Sequence, residues 1–533
     1  MDPLTYTEPV DGPRDSGVTL AELLAAFSLA TDLGLGQPME HLLRSWQIAS
    51  RLGRRVGLPE EHQPMLFHVA MLSWVGCVAD SPELTSSFGD DIAFRADSYD
   101  ADLGGLSGMA FFLGRAGRGQ TLPRRMQAAA TMVATGGTRV MRGIQSHCLV
   151  TSTLSDQLGL SAETSAAVRQ FFARWDGQGV PRDVQGDQIA LVVRLFHLAD
   201  VVEVYHRRGG VAAAVAVARA RSGGQFDPGL VDAFCMTAEE MLPPDVDGYD
   251  ARDDFSRESG LAGQLSDDDF EVALVALADF TDLRCASRAG HSRGVADLAG
   301  EAARLLRLPA SDVRATYRAG LIHDIGLHGV PTVILDKPTP LTATEAERLR
   351  AASYYTERAL SRPAPLARLG AIAGLVHERM DGSGHHRGVR GDAIPLPSRI
   401  LAAACAFHEL VEPRSNRSAY SVKEAVEAIR AEIAYGRLDQ VAADAVLAAA
   451  GAGSRRRIAG PAGLTPREIE VLGLIARGST TSDVADQLGI SRKTAGAHIE
   501  RIYAKAGVSS RSTATLFALR SGLLGTLDDG PDI

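Results

Sequence analysis

Leu58-Pro59 precedes Gly76 by eighteen residues and Leu308-Pro309 precedes Gly326 by the same eighteen, so MLSWVG in the first half falls on LIHDIG in the second. Farther along, WDGQGVP from Trp175 matches MDGSGHH from Met380. Eighteen residues beyond Asp176 and Asp381 stand Arg194 and Arg399, which lays RLFHLAD on RILAAAC. GQFD at Gly224 and GRLD at Gly436 complete the series. A chain that repeats blocks in this order is constrained to build one supersecondary unit twice. The copies are read as residues 18–241 and 269–453. The first is the longer, because 100 residues separate Gly76 from Asp176 against 55 from Gly326 to Asp381.

Within both copies apolar residues recur at helical spacing and alternating runs are hard to find, which predicts an all-α protein. Composition breaks give a flexible tail over 1–17, an acidic linker over 242–268, a basic linker over 454–463 and a last tail over 525–533. Five scattered cysteines without C-x-x-C spacing argue against a disulfide framework or a thiolate zinc site. No uninterrupted apolar run approaches the roughly 18 residues that span a bilayer, so no membrane partner is expected. The acidic, Pro-rich N-terminus lacks the pattern of a secretory signal, which makes the cytoplasm the expected location. Net charge is −10, yet residues 454–524 carry eleven Lys and Arg against five Asp and Glu. Any contact with nucleic acid therefore belongs to this last segment.

Its punctuation is that of a small helical domain. Thr465, Pro466 and Glu468 read as N-cap, first helical residue and capping-box partner, and Thr480 with Asp483 repeats the device. Gly478 and Gly489 end the first two helices, and Ser491 caps a third. There Ala495, Ile499 and Ile502 share an inward face, while Arg492, Lys493, Thr494, His498, Arg501 and Lys505 are the candidate DNA-binding residues. A fourth helix is expected over about 512–521. LTPRE-x-EVL, ARG, VA-x-QL-x-IS-x-KT and H-x-x-x-IY-x-K-x-G-V-x-x-R stand in order, and over 464–524 the chain resembles the LuxR-type helix-turn-helix domain. The resemblance implies a four-helix fold, promoter DNA as partner and binding as a homodimer. Gly496 and Thr481 depart from residues common in that family.

The second copy gathers histidines beside carboxylates in GHSRGVA, LIHDIGLHGVP and VHERMDGSGHHRG. Imidazole and carboxylate together suit a divalent metal. HDIG, HERxDGxG and GVP-x-x-IL-x-KP-x-PLT occur in family order, so residues 285–452 resemble the HD-GYP branch of the HD phosphohydrolase superfamily, whose helical domains use metal ions against phosphodiesters such as cyclic di-GMP. Carried over residue by residue, His291, His323, Asp324 and His377 are the candidate metal ligands. Three positions depart from the pattern: Ser353 and Val376 stand where histidines are usual, and Cys405 replaces an aspartate. Leu327 and His385-His386 also differ from the usual lysine and Tyr-Pro. The residues leave two readings open. Either one divalent ion (Mn, Fe, Zn or Ni) is held with His377 or Cys405 as fourth ligand, or the histidines are hydrogen-bonded core residues.

In the first copy His41 matches His291, but the His-Asp pair becomes Ser73-Trp74 and the paired histidines become Phe171-Phe172. Asp200 matches Cys405, and His147 falls near Ser353. No hard cation is expected there; the aromatic replacements imply a filled cavity, with an apolar ligand pocket as the alternative, and the repeat is read as a scaffold, dimerisation surface or sensor. The expected function is a transcription regulator whose degenerate HD-GYP-like repeats sense a small-molecule or nucleotide signal or dimerise. The alternative is a metal-dependent phosphohydrolase or cyclic-dinucleotide phosphodiesterase fused to a DNA-binding domain.

Overall fold

In a computed structural model of the chain, residues 15–134, 138–242, 259–452, 461–521 and 523–524 are described. The first fourteen residues, the centre of the acidic linker, most of the basic linker and the last tail lie outside them. The fold is helical, as the spacing of apolar residues requires. Two short strands were not expected: Asp15–Thr19 pairs antiparallel with Gln264–Ser266. Residues read as tail and linker thus join the start of one repeat to the start of the other, and Ser16 Oγ donates to the Leu265 carbonyl at 2.8 Å.

The repeat is visible in its caps and ion pairs. Helices His41–Arg55 and His291–Leu305 each follow a residue in the left-handed region, Glu40 at φ 76° and Gly290 at φ 81°. An aspartate from the preceding helix supports each start: Asp32 accepts from Leu42 N at 3.0 Å and Asp282 from Ser292 N at 2.9 Å. Burial pushes these two carboxyls up to about 7 and about 8. Arg194 bonds Asp187 and Asp227 at 2.8 and 2.6 Å, and Arg399 bonds Asp392 and Asp439 at 3.0 and 3.3 Å. Asp227 also caps helix Pro228–Met241, and Asp439 accepts from Ala442 N at the start of Gln440–Ala452. The GQFD and GRLD blocks are therefore helix starts locked to an arginine eighteen residues after the Asp-Gly turn.

Both repeats share one apolar core. Across it, the fully buried Arg284 donates to Asp91 at 3.1 Å, and Asp91 accepts from Thr332 N at 2.9 Å. Burial alone would raise the Asp91 carboxyl, but Arg284 and Arg95 hold it below the usual carboxylate range. Apolar stretch Glu60–Phe88 has the length and hydropathy of a membrane span, yet 78% of that window is buried inside the protein. Leu66, Phe67, Val69, Leu72 and Val78 of this stretch belong to the shared core.

The C-terminal helices are Pro466–Ala476, Thr481–Gln487, Arg492–Ala506 and Arg511–Arg520. Both expected capping boxes form, and Ser491 accepts from Thr494 N. Leu472, Ile475, Val484, Ala495 and Ile502 make a separate small core. Leu516, from the last helix, instead belongs to the core of the repeats. Ser512 Oγ donates to the Ala79 carbonyl at 2.6 Å, so this helix is docked on the first repeat.

Candidate functional site

In the second repeat, His291 opens its helix and His323 and Asp324 follow the end of helix Ala310–Ile322. The two helices cross closely because residue 320 is glycine; a Cβ there would lie 2.6 Å from Ala296 Cα. His323 Nδ1–H donates to the Gly320 carbonyl at 2.7 Å and His291 Nδ1–H to Glu412 at 2.8 Å. Each ring thereby turns an unprotonated Nε2 inward. Both Nε2 atoms are buried and make no hydrogen bond. Asp324 Oδ2 lies 3.6 Å from His291 Nε2 and 3.5 Å from His323 Nε2. Ligands on a tetrahedral ion with bonds of about 2.1 Å stand about 3.4 Å apart, and these two separations are of that order, with the same Oδ2 bonded to Arg288. The Cys405 Sγ lies within 4.8 Å of both histidine nitrogens.

Burial and the Arg288 guanidinium hold the His323 imidazole down to about 4 and keep His291 neutral, the state a ligand needs. Burial also pushes the Cys405 thiol far above its ordinary range. Arg288 itself bonds the Asp324 carboxylate and reaches Glu409 at 3.4 Å. The positive charge beside Asp324 is thus supplied from within the chain. His377 is not part of this cluster: it is partly buried and stacks on His385, with ring centroids 5.0 Å apart.

Sequence reasoning passed over His408, Glu409 and Glu412. His408 Nδ1 lies 3.1 Å from Glu412, which also bonds His291, so one carboxylate joins two imidazoles. The signal was present as a His and a Glu four apart at the end of helix Leu396–Val411. What brings them to His291 is Gly294, where a Cβ would lie 1.9 Å from His408 Nε2.

The first repeat places different chemistry at the same positions. His41 Nδ1–H donates to Glu203 at 2.5 Å and Nε2–H to Asp200 at 3.0 Å. Burial opposes the charge on His41, but Glu203 and Asp200 outweigh it and raise the imidazole to about 10. Asp200 further accepts from Tyr99 OH at 3.2 Å and from Trp74 Nε1 at 3.3 Å. An imidazolium and two neutral donors thus engage this carboxylate. Of the two expectations for this site, a filled cavity and an apolar pocket, the structure has the pocket. Trp74 packs edge-on against Phe171 with centroids at 4.9 Å, and beyond this wall a cavity of about 440 Å3 remains. Met132 of helix Leu122–Ala134, which lies in the extra residues of this repeat, and Ile144 of helix Thr138–Gln157, which carries His147, line it opposite the aromatic wall.

In helix Arg492–Ala506, the side chains of Arg492, Lys493, Thr494 and Arg501 are exposed, and His498 is partly buried. Ala495 and Ile502 are buried and Ile499 packs beside them. Lys505 is committed internally: its Nζ donates to Glu468 at 2.7 Å and to the Gly463 carbonyl at 3.1 Å.

Comparison with known proteins agrees with this arrangement. Residues 276–441 match the HD domain family and residues 462–518 match the bacterial regulatory proteins of the luxR family. Among curated relatives, the 3'3'-cGAMP-specific phosphodiesterase 3 of Vibrio cholerae is 30% identical over 413 residues, covering 76% of this chain and 89% of that protein. A cyclic di-GMP phosphodiesterase of Thermotoga maritima is 36% identical over 141 residues, 26% of this chain and 38% of the relative. The crystal structure of a cyclic GMP-AMP specific phosphodiesterase from V. cholerae superposes with a TM-score of 0.55 at 27% identity, covering 82% of this chain and 98% of that one. With its His-Asp pair at 323–324, its tandem helical repeats and its C-terminal helix-turn-helix, the chain belongs to the HD-GYP family, extended by a LuxR-type DNA-binding domain.

Proposed function

We propose that this protein is a cytoplasmic transcription regulator that binds promoter DNA as a homodimer, with the HD-GYP repeats serving to sense a signal. We divide it into tails 1–17 and 525–533, repeats 18–241 and 269–453, linkers 242–268 and 454–463, and a DNA-binding domain 464–524. The observation that carries the reading is the docking of helix Arg511–Arg520. Ser512 bonds the first repeat and Leu516 enters the shared core, while Leu519 packs beside Gly290, the residue before His291. A ligand that prefers one arrangement of the repeats then shifts the population of DNA-competent molecules. Arg492, Lys493, Thr494 and Arg501 are the contacts proposed for DNA, with His498 and Lys505 at the margin. Selection of binding sites from a random duplex library tests it: the wild type enriches a sequence, and Lys493→Ala/Arg501→Ala loses most of that affinity. Unchanged affinity in the double variant defeats the recognition-helix assignment.

A second reading is favoured by the two unpartnered Nε2 atoms beside Asp324. In it His291, His323 and Asp324, with Cys405 in place of the His377 that the sequence also offered, hold one divalent ion, drawn from Mn, Fe, Zn or Ni. Such an ion when bound polarises a phosphoryl oxygen of a phosphodiester. The chain's own residues would place it: Gly320 and Glu412 fix the two imidazoles, and Arg288 holds the Asp324 carboxylate beside them. The kinship with cyclic-dinucleotide phosphodiesterases makes 3'3'-cGAMP and cyclic di-GMP the substrates to try. Hydrolysis that disappears in His323→Ala/Asp324→Ala while DNA binding persists would establish it.

A further inference from the structure

We propose that the cavity of the first repeat binds an apolar small molecule carrying a single carboxylate, with Arg221 as its anchor. Trp74, Phe112, Met132, Ile144, Phe171 and Phe172 supply most of the wall. A volume of about 440 Å3 falls within the roughly 300–1,000 Å3 of small-molecule sites. Its polar groups are nearly all committed. Asp200 is saturated by His41, Tyr99 and Trp74. Arg174 bonds Asp102 at 2.6 Å and Asp176 at 3.0 Å. His197 donates from Nε2–H to the Phe171 carbonyl.

Arg221 is the exception. It is only 6% exposed, and its acceptors are all neutral: the Tyr99 carbonyl at 2.6 Å, Gln225 Oε1 at 3.2 Å and Tyr205 OH at 3.4 Å. Among the described residues no carboxylate forms an ion pair with it. The nearby Asp102 carboxylate is paired directly with Arg174 instead, and a guanidinium fork is matched best by a carboxylate in direct contact. A cyclic dinucleotide would bring two phosphodiesters to this one guanidinium, so a monoanion with an apolar body is the better complement. The inserted helix Leu122–Ala134 contributes Met132 and Val133 to the lining.

The inference names a ligand class for the sensing repeat and so rests on the regulator reading for its consequence. Binding itself is measured without DNA, which keeps the two separable: absent displacement defeats the pocket, whereas unaltered DNA affinity after ligand addition defeats the coupling. The probe is anilinonaphthalene sulfonate on the full chain, displaced by decanoate or by decanol. Decanoate is expected to compete about tenfold better or more, the fold-change of a charge-assisted contact worth about 1.5–3 kcal/mol. Arg221→Gln should remove the preference for the acid and Arg221→Lys should restore part of it. Should these variants fail to fold by circular dichroism, Ile144→Trp fills the cavity from the far side and should abolish displacement of the probe. Equal competition by acid and alcohol, absence of probe binding to the wild type, or full binding by Ile144→Trp overturns the proposal.

Discussion

Nε2 of His41 lies 3.0 Å from Oδ1 of Asp200 in the first repeat, and the matching positions of the second hold His291 and Cys405. One exchange of a carboxylate for a thiol separates two ways of satisfying the same buried imidazole. With Asp200 and Glu203 beside it, His41 is protonated and becomes the cation of its own site. Without that aspartate, and with Arg288 nearby, His291 stays neutral and keeps a lone pair free.

Because His41 and Asp200 form a buried pair, Asp200→Asn should destabilise the fold by about 3–5 kcal/mol, the cost of stranding one partner. Urea denaturation of the full chain checks this. A loss below about 1 kcal/mol, the range of exposed pairs, would mean that His41 is satisfied by Glu203 alone.

The same comparison predicts that Cys405→Asp tightens metal binding in the second repeat, by at least about tenfold for a contribution of about 1.4 kcal/mol. Elemental mass spectrometry on protein dialysed against graded chelator reads the retained ion. The wild type should lose its ion at lower chelator than Cys405→Asp, and His323→Ala/Asp324→Ala should hold none. Equal retention in all three would remove the metal from this site.

Leu516 is expected to act as the latch of the DNA-binding domain. Leu516→Glu places a charge in the shared core, which should release helix Arg511–Arg520 while leaving the small core around Leu472 and Ile502 intact. Small-angle scattering should then show a larger radius of gyration, and helical content by circular dichroism should be unchanged. An unaltered scattering curve would show that the docking does not depend on this contact.

His197 provides a pH signature. Burial lowers its imidazole to about 4, below the unfolded value of about 6.5. Above pH 6.5 both states are neutral and its contribution is complete; as pH falls towards 4, the unfolded state takes up the proton first and stability is lost. His197→Gln cannot titrate. The stability advantage of wild type over this variant, from paired urea titrations, should therefore shrink between pH 6.5 and 4. A constant difference would place the proton elsewhere.

Much of the architecture was legible because it is written locally. Capping boxes at Thr465 and Thr480 and the Ser491 cap depend on residues within a few positions of each other, and the structure contains each of them. His291, His323 and Asp324 were legible as a motif. The strand pairing of Asp15–Thr19 with Gln264–Ser266 was not, since its partners lie about 250 residues apart in short segments with little alternation.

The amino-acid order by itself determined the two helical repeats, the helix-turn-helix domain and the residue types available at each site, because helix periodicity, caps and turn glycines act over a few residues. Only the tertiary structure decided what those residues do together. It gave His408 and Glu412 to His291, Arg288 to Asp324, a shared core to Leu516 and an open cavity to Trp74 and Phe171. Each of these depends on the distance between helices far apart in sequence, which small residues such as Gly294 and Gly320 and the inserted helices set by packing.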